Sequence, residues 1–211
     1  MELIGMLDSP YVRRVAVSMQ LLGLPFTHQS ISVFRGFAEF AAINPVVKAP
    51  SLVCDDGSVL MDSTLMLEYA ESLAAPRRSL MPAGAAERLR ALRLIGLALA
   101  ACEKSVQIVY EHHVRPAEKL HAPWLERVTG QMLAALDGLE AELARQPLGA
   151  TEATIDQAGV TTAVAWHFIG QVEACSPPAG RYPRLQAFSA AAERLPAFVA
   201  APHGEAVYPV R

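Results

Sequence analysis

Residues 44–71 read NPVVKAPSLVCDDGSVLMDSTLMLEYAE, and almost every position carries a local signal. Asp55-Asp56-Gly57 separates two apolar runs, 51–54 and 58–61, and Asp-Gly in that setting marks a β-hairpin. Ser63 opens a helical pattern that runs to about residue 74. Upstream, residues 3–7 and 26–33 read as strands, and 11–22 between them has helical spacing ended by Gly23-Leu24-Pro25. A short helix is expected near 37–42. The order is βαβ, then α, then ββα: a small mixed sheet with helices on it.

Texture changes after that point. APRRSLMPAGAAE is a connector with two prolines, a glycine and no periodicity, and beyond it the chain is helical. The stretches 87–115, 124–143, 157–172 and 183–195 carry apolar positions at helical spacing, with prolines between them. The expected fold class is α/β + all-α: a small domain over 1–75, a linker over 76–85, and a helical bundle over 86–211.

Composition narrows the function. The 211 residues suffice for two small cores. The hydrophobic share is 52%, the charged share 18% and the net charge −3, so no basicity points to nucleic acid. No apolar run approaches the roughly 20 residues of a membrane span, and the N-terminus lacks the pattern of a signal peptide. Cys54, Cys102 and Cys175 are odd in number and far apart, which favours a reducing, cytoplasmic setting over a disulfide framework.

Three places can carry chemistry. Ser9-Pro10 stands where the first strand meets the first helix. Its hydroxyl can cap that helix, and it can also face a ligand. Pro50 has no N–H to give a ladder, and is either an ordinary trans proline starting a strand or, in a thioredoxin-like domain, a cis proline beside which an extended peptide can pair. Asp62-Ser63 opens the next helix. Ser63 can be a plain N-cap, or the pair can hold a zwitterion, with Ser63 and the helix N–H groups on its carboxylate and Asp62 on its ammonium.

SPYVRRV, NPVVKAP, LMDSTLMLEY and the closing YPRLQAF with AERLPAF together resemble the soluble glutathione S-transferase family, in its serine-type, bacterial tau-like and zeta-like members. The resemblance covers essentially the full length, and it is most specific in the N-terminal part. It implies a thioredoxin-like domain followed by a helical bundle, and an enzyme that activates the thiolate of glutathione against a small hydrophobic electrophile. Glutathione is then a co-substrate, with no cofactor and no metal.

Residue by residue, the resemblance implies that Ser9 hydrogen-bonds the glutathione sulfur. A free thiol titrates near ~8.5, and a hydroxyl donor at a helix N-terminus lowers that value by stabilising the anion. Ser9 would stabilise charge without itself attacking. The Ala49 backbone would pair with the cysteinyl part, and Asp62 and Ser63 would take the γ-glutamyl head; many relatives carry glutamate where Asp62 stands. Lys48 and Arg35 would lie near the glycyl carboxylate, Arg35 without clean alignment. Tyr11, Tyr110 and His113 are candidates for the second-substrate pocket. YEHHVRP is not a zinc motif, because adjacent histidines point in different directions on a helix.

Cys54, in an apolar strand, reads as a buried hydrophobe, and no cysteine stands where thiol-exchanging relatives have one. In TIDQAGVTTAVAW, Asp156 is a good N-cap but Gly159 replaces the residue that would return its bond, which suggests a less stable second domain. The alternatives are glutathione-dependent isomerisation or peroxide reduction, and a non-catalytic binding module of the same fold. The expected assembly is a homodimer, with no nucleic-acid or membrane partner.

Overall fold

Leu3 and Ile4 are fully buried, and they define β1 (Glu2–Ile4), the strand on which the N-terminal sheet is built. The computed structural model describes residues 1–206 and 208. β2 (Thr27–Gln29) pairs parallel to β1, and β3 (Ser51–Val53) pairs antiparallel on its other side. β4 (Val59–Met61) closes the order β2-β1-β3-β4 through the expected hairpin, in which Cys54 N donates to Ser58 O at 2.8 Å.

The first two strands are shorter than the apolar runs suggested. Gly5, at φ +133, turns the chain out of β1, and the Ile31 N–H closes back on Gln29 O at 3.1 Å just beyond β2. Hydrophobicity marked the buried segment, but pairing extends only as far as the partner strand runs straight.

α1 (Pro10–Leu21) begins with Ser9 as N-cap and Pro10 in the first turn, as expected. It ends in a Schellman closure: Leu24 N donates to Met19 O, Gly23 N donates to Gln20 O, and Gly23 supplies the φ of +71 this closure needs. α2 (Phe37–Ile43) places the fully buried Phe40 against Ile4 and Ile31. α3 (Ser63–Ala74) packs against α1 with Met66, Leu67 and Ala70 buried.

Four long helices form a second unit: α4 (Ala85–His113), α5 (Ala122–Arg145), α6 (Gln157–Gln171) and α7 (Pro183–Ala192). Leu94, Ile108, Met132, Leu136, Leu139 and Ile169 fill their core. Glu140 accepts from Arg184 N and Leu185 N, placing a carboxylate at the start of α7.

The compact units divide at Leu80 and again at Glu193: residues 81–193 form the second, and the chain from Arg194 onward groups with the first. The sequence boundary had left that last segment with the helical bundle. Arg13 supplies the reason. It is 2% exposed, and its Nε donates to Ala201 O at 2.7 Å while its guanidinium lies over the Phe198 ring of α8 (Pro196–Val199). Residues 207 and 209–211, the end of the expected helical domain, lie outside the described residues.

Gly159 has a packing reason as well. Asp156 caps α6, with Gly159 N donating to its Oδ1 at 2.7 Å. A Cβ on Gly159, however, would stand 2.9 Å from Ile155 Cγ1 and 3.4 Å from the Phe188 ring. The space beside Gly159 is therefore filled, and a larger residue there would have to displace its neighbours, although the return bond to Asp156 remains absent.

Candidate functional site

The Ser9 junction gathers several of the singled-out residues. Ser9 has extended backbone angles, φ −70 and ψ 123, and its Oγ accepts from Val12 N at 3.4 Å. A hydroxyl that accepts a bond keeps its own proton to donate, so capping and ligand contact are compatible here. Gly5 brings the 49–50 loop against the same helical turn: a Cβ there would lie 2.7 Å from Val12 Cγ2 and 3.2 Å from Ala49 Cβ. The Ala49–Pro50 bond is cis, the second of the two readings the sequence left open.

A buried network holds this loop. Asn44 Nδ2 donates to Ser51 Oγ at 2.8 Å, Ser51 Oγ donates to Lys48 O at 2.9 Å, and Val46 N donates to Asn44 Oδ1 at 3.0 Å. Both Asn44 and Ser51 are buried, so each bond is one that water cannot replace cheaply.

At the start of α3 the cap is Asp62, not Ser63: Thr64 N donates to Asp62 Oδ1 at 2.9 Å. Asp62 has φ +72, an uncommon conformation that aspartate tolerates better than most residues. Its other carboxylate oxygen lies 3.9 Å from Lys48 Nζ, with both side chains about half exposed. Ser63 is the first helical residue and nearly buried, and its Oγ accepts from Arg14 Nη1 at 3.0 Å. Arg14 also donates to Thr64 Oγ1 at 3.2 Å.

Arg14 is the residue that sequence reasoning missed. It is 2% exposed, and it adds a fixed positive charge to the amino end of α3. The signal was present in VRRV, where two arginines sit in an apolar helical run and must each find internal partners. Together, the α3 N-terminus, Arg14, Lys48 and the Asp62 carboxylate offer both signs of charge to a zwitterion.

Arg35 is exposed and ion-paired with Glu205. Burial raises the carboxyl pKa of Asp8, beside Ser9; the Ser9 backbone N–H opposes that, Glu205 adds to it, and Arg35 opposes it. Tyr11 is half-buried in the first turn of α1. Tyr110 and His113 are exposed in the last turns of α4, in the second unit.

None of the three cysteines forms a disulfide, and all three are buried. Burial raises the thiol pKa of Cys54, as expected of a buried hydrophobe, and pushes Cys175 up to about 11. Neither of these two is therefore a ready nucleophile. No group of three or more metal-ligating side chains occurs among the described residues, and no helix among them is long and apolar enough to cross a membrane.

Residues 3–78 match the family described as glutathione S-transferase, N-terminal domain. The chain is 29% identical over 144 residues to the uncharacterized GST-like protein YibF of Escherichia coli, spanning 68% of this chain and 70% of that one. It is 25% identical over 141 residues to glutathione S-transferase U4 of Arabidopsis thaliana, spanning 62% and 61%. Among solved structures, a glutathione transferase family member from Pseudomonas fluorescens with bound glutathione superposes with a TM-score of 0.82 at 26% identity, covering 96% of this chain and 98% of the other. A zeta-class maleyl pyruvate isomerase, at 23% identity and a TM-score of 0.74 over 98% of both chains, shares the fold.

Proposed function

We propose that this chain, whose residues 3–78 match the glutathione S-transferase N-terminal domain and which resembles glutathione transferases over most of its length, is a glutathione transferase in which Ser9 stabilises the thiolate of bound glutathione. The observation that carries the reading is the cis Ala49–Pro50 loop lying beside Gly5, which also packs on Val12 in the turn of α1 that Ser9 caps. In this reading the Ser9 hydroxyl donates to the anionic sulfur, which also gains from the positive end of α1.

In this reading the Ala49 backbone pairs with the cysteinyl part of the tripeptide. Asp62 accepts from the γ-glutamyl ammonium, while the Ser63 hydroxyl and the α3 N–H groups take its carboxylate, with Arg14 fixing the Ser63 oxygen from behind. Lys48 and Arg35 serve the glycyl carboxylate. Tyr11, Tyr110 and His113 are proposed contacts of the electrophile, a small hydrophobic molecule. Thiolate chemistry belongs to the bound peptide, in keeping with three buried protein thiols. Cysteines held in no disulfide also favour a cytoplasmic setting.

A homodimer is the proposed assembly. Leu65, Tyr69 and Leu73 lie four residues apart along α3 and are all exposed, an apolar stripe that a second copy would cover. The reading is tested by turnover of glutathione with a chlorinated aromatic, alongside calorimetric titration with glutathione. Micromolar to millimolar binding with conjugation is expected; binding without conjugation would reduce the protein to a binding module, and no binding would refute the reading.

A further inference from the structure

A cavity of about 300 Å³ opens in the first unit between the residues after β2 and the chain near the C-terminus, with Met6, Ser30, Ser32, Arg35, Glu39 and Glu205 in its wall. Among the described residues its one cation, Arg35, already has a partner. The Arg35 guanidinium is bonded to the Glu205 carboxylate, from a segment that lies 170 residues away in the chain. The Arg35 backbone is itself placed by the Ser32 hydroxyl, which accepts from Phe34 N and Arg35 N at 3.2 Å each.

The segment carrying Glu205 is moored on both sides. Before it, Arg13 holds Ala201 O and Phe198 O. At Glu205 itself, Ser30 Oγ donates to the backbone carbonyl at 2.9 Å. After it, Tyr208 N donates to His28 Nδ1 at 2.9 Å, its hydroxyl donates to Gln20 at 2.6 Å, and its ring stacks on Phe26. The Glu205 side chain, by contrast, is about two-thirds exposed and its carboxylate is paired with an equally exposed Arg35. A ligand carboxylate can therefore displace the side chain alone, while the backbone stays where it is.

We propose that Glu205 is an internal stand-in for the glycyl carboxylate of glutathione at Arg35, and so sets the affinity of the protein for its co-substrate. This rests on the reading of Arg35 as a contact for that carboxylate. The Glu205 side chain must leave Arg35 before the ligand can engage it, and what remains nearby, Asp8 and Glu39, still repels an anion. Glu205 is thus a determinant of affinity and not a catalytic residue. The pair is exposed, so its displacement is a modest barrier that ordinary glutathione concentrations overcome.

The test is the KM for glutathione in the wild type, E205Q, R35Q and the double variant, repeated with the glutathione analogue whose glycyl carboxylate is an amide. Glu205→Gln is expected to lower KM for glutathione about two- to fivefold, to leave KM for the amide unchanged, and to do nothing once Arg35 is Gln. An equal gain for peptide and amide would overturn the proposal by reducing Glu205 to a diffuse charge. So would an unchanged KM in E205Q while R35Q raises it, which would leave the Arg35 reading standing. If R35Q leaves KM for glutathione unchanged, the Arg35 reading fails and the proposal with it. E205Q replaces an exposed side chain, and an unaltered melting curve establishes that these effects are not those of unfolding.

Discussion

Replacing Gly5 by alanine should damage fold and site together, because this residue lets the 49–50 loop meet the first turn of α1. Two costs can be worked out separately. Gly5 has φ +133, where an L-residue is strained by about 1–3 kcal/mol. The added methyl would stand 2.7 Å from Val12 Cγ2, and Val12 is fully buried and β-branched, so it has no free rotamer to retreat into. Overpacking of that kind costs about 1–3 kcal/mol, while the loss of unfolded-state freedom returns about 0.4–1. The net expectation is a loss of about 1–6 kcal/mol, which in a chain of this size lowers Tm by roughly 2–20 °C. Differential scanning calorimetry measures it. Ala49 would also be pushed away, since the new methyl lies 3.2 Å from its Cβ, so the surviving folded protein should bind glutathione more weakly in calorimetric titration. A Tm within 2 °C of wild type with unaltered glutathione affinity would refute the reasoning.

His28 should make the mooring of the C-terminal segment sensitive to pH. Burial lowers its pKa below the ordinary histidine value, with its bond to Gly5 O opposing, and its Nδ1 accepts from Tyr208 N. The unfolded chain binds this proton more readily than the folded one, so the stability is fully present above about pH 6.5 and is lost as pH falls below it. Tm followed from pH 7.5 to 5.5 should fall more steeply for wild type than for His28→Gln; parallel curves would contradict this. Gly159→Ala gains about 1 kcal/mol of helix propensity but loses about 1–3 to overlap with Ile155 and Phe188, so Tm should drop by a few degrees. A rise in Tm would mean the space is not filled.

Local chemistry made much of the first unit legible. Asp-Gly gave the hairpin, Ser9-Pro10 the start of α1, and Gly23 the end of it, because each acts within a few residues. Long-range pairing was not legible. The β2 run looked eight residues long, yet the ladder ends at Gln29, where the chain bends. Gly159 looked like a defect because the side chains that crowd it are Ile155 and Phe188, and the second of these is far away in sequence. Asp62 rather than Ser63 caps α3, and the partner of the Ser63 hydroxyl, Arg14, comes from another helix. The Arg35–Glu205 pair spans 170 residues and has no local signature. Residue types announced which groups could act, and only the fold revealed which partners they would have.

Ultraviolet titration of the thiolate of bound glutathione, wild type against Ser9→Ala, is the most direct measurement of the whole account. The wild-type complex should titrate well below the ~8.5 of a free thiol, with the variant returning toward that value and conjugating about tenfold or more slowly. An unshifted thiol pKa in the wild-type complex, or one that Ser9→Ala leaves where it was at full conjugation rate, would contradict it.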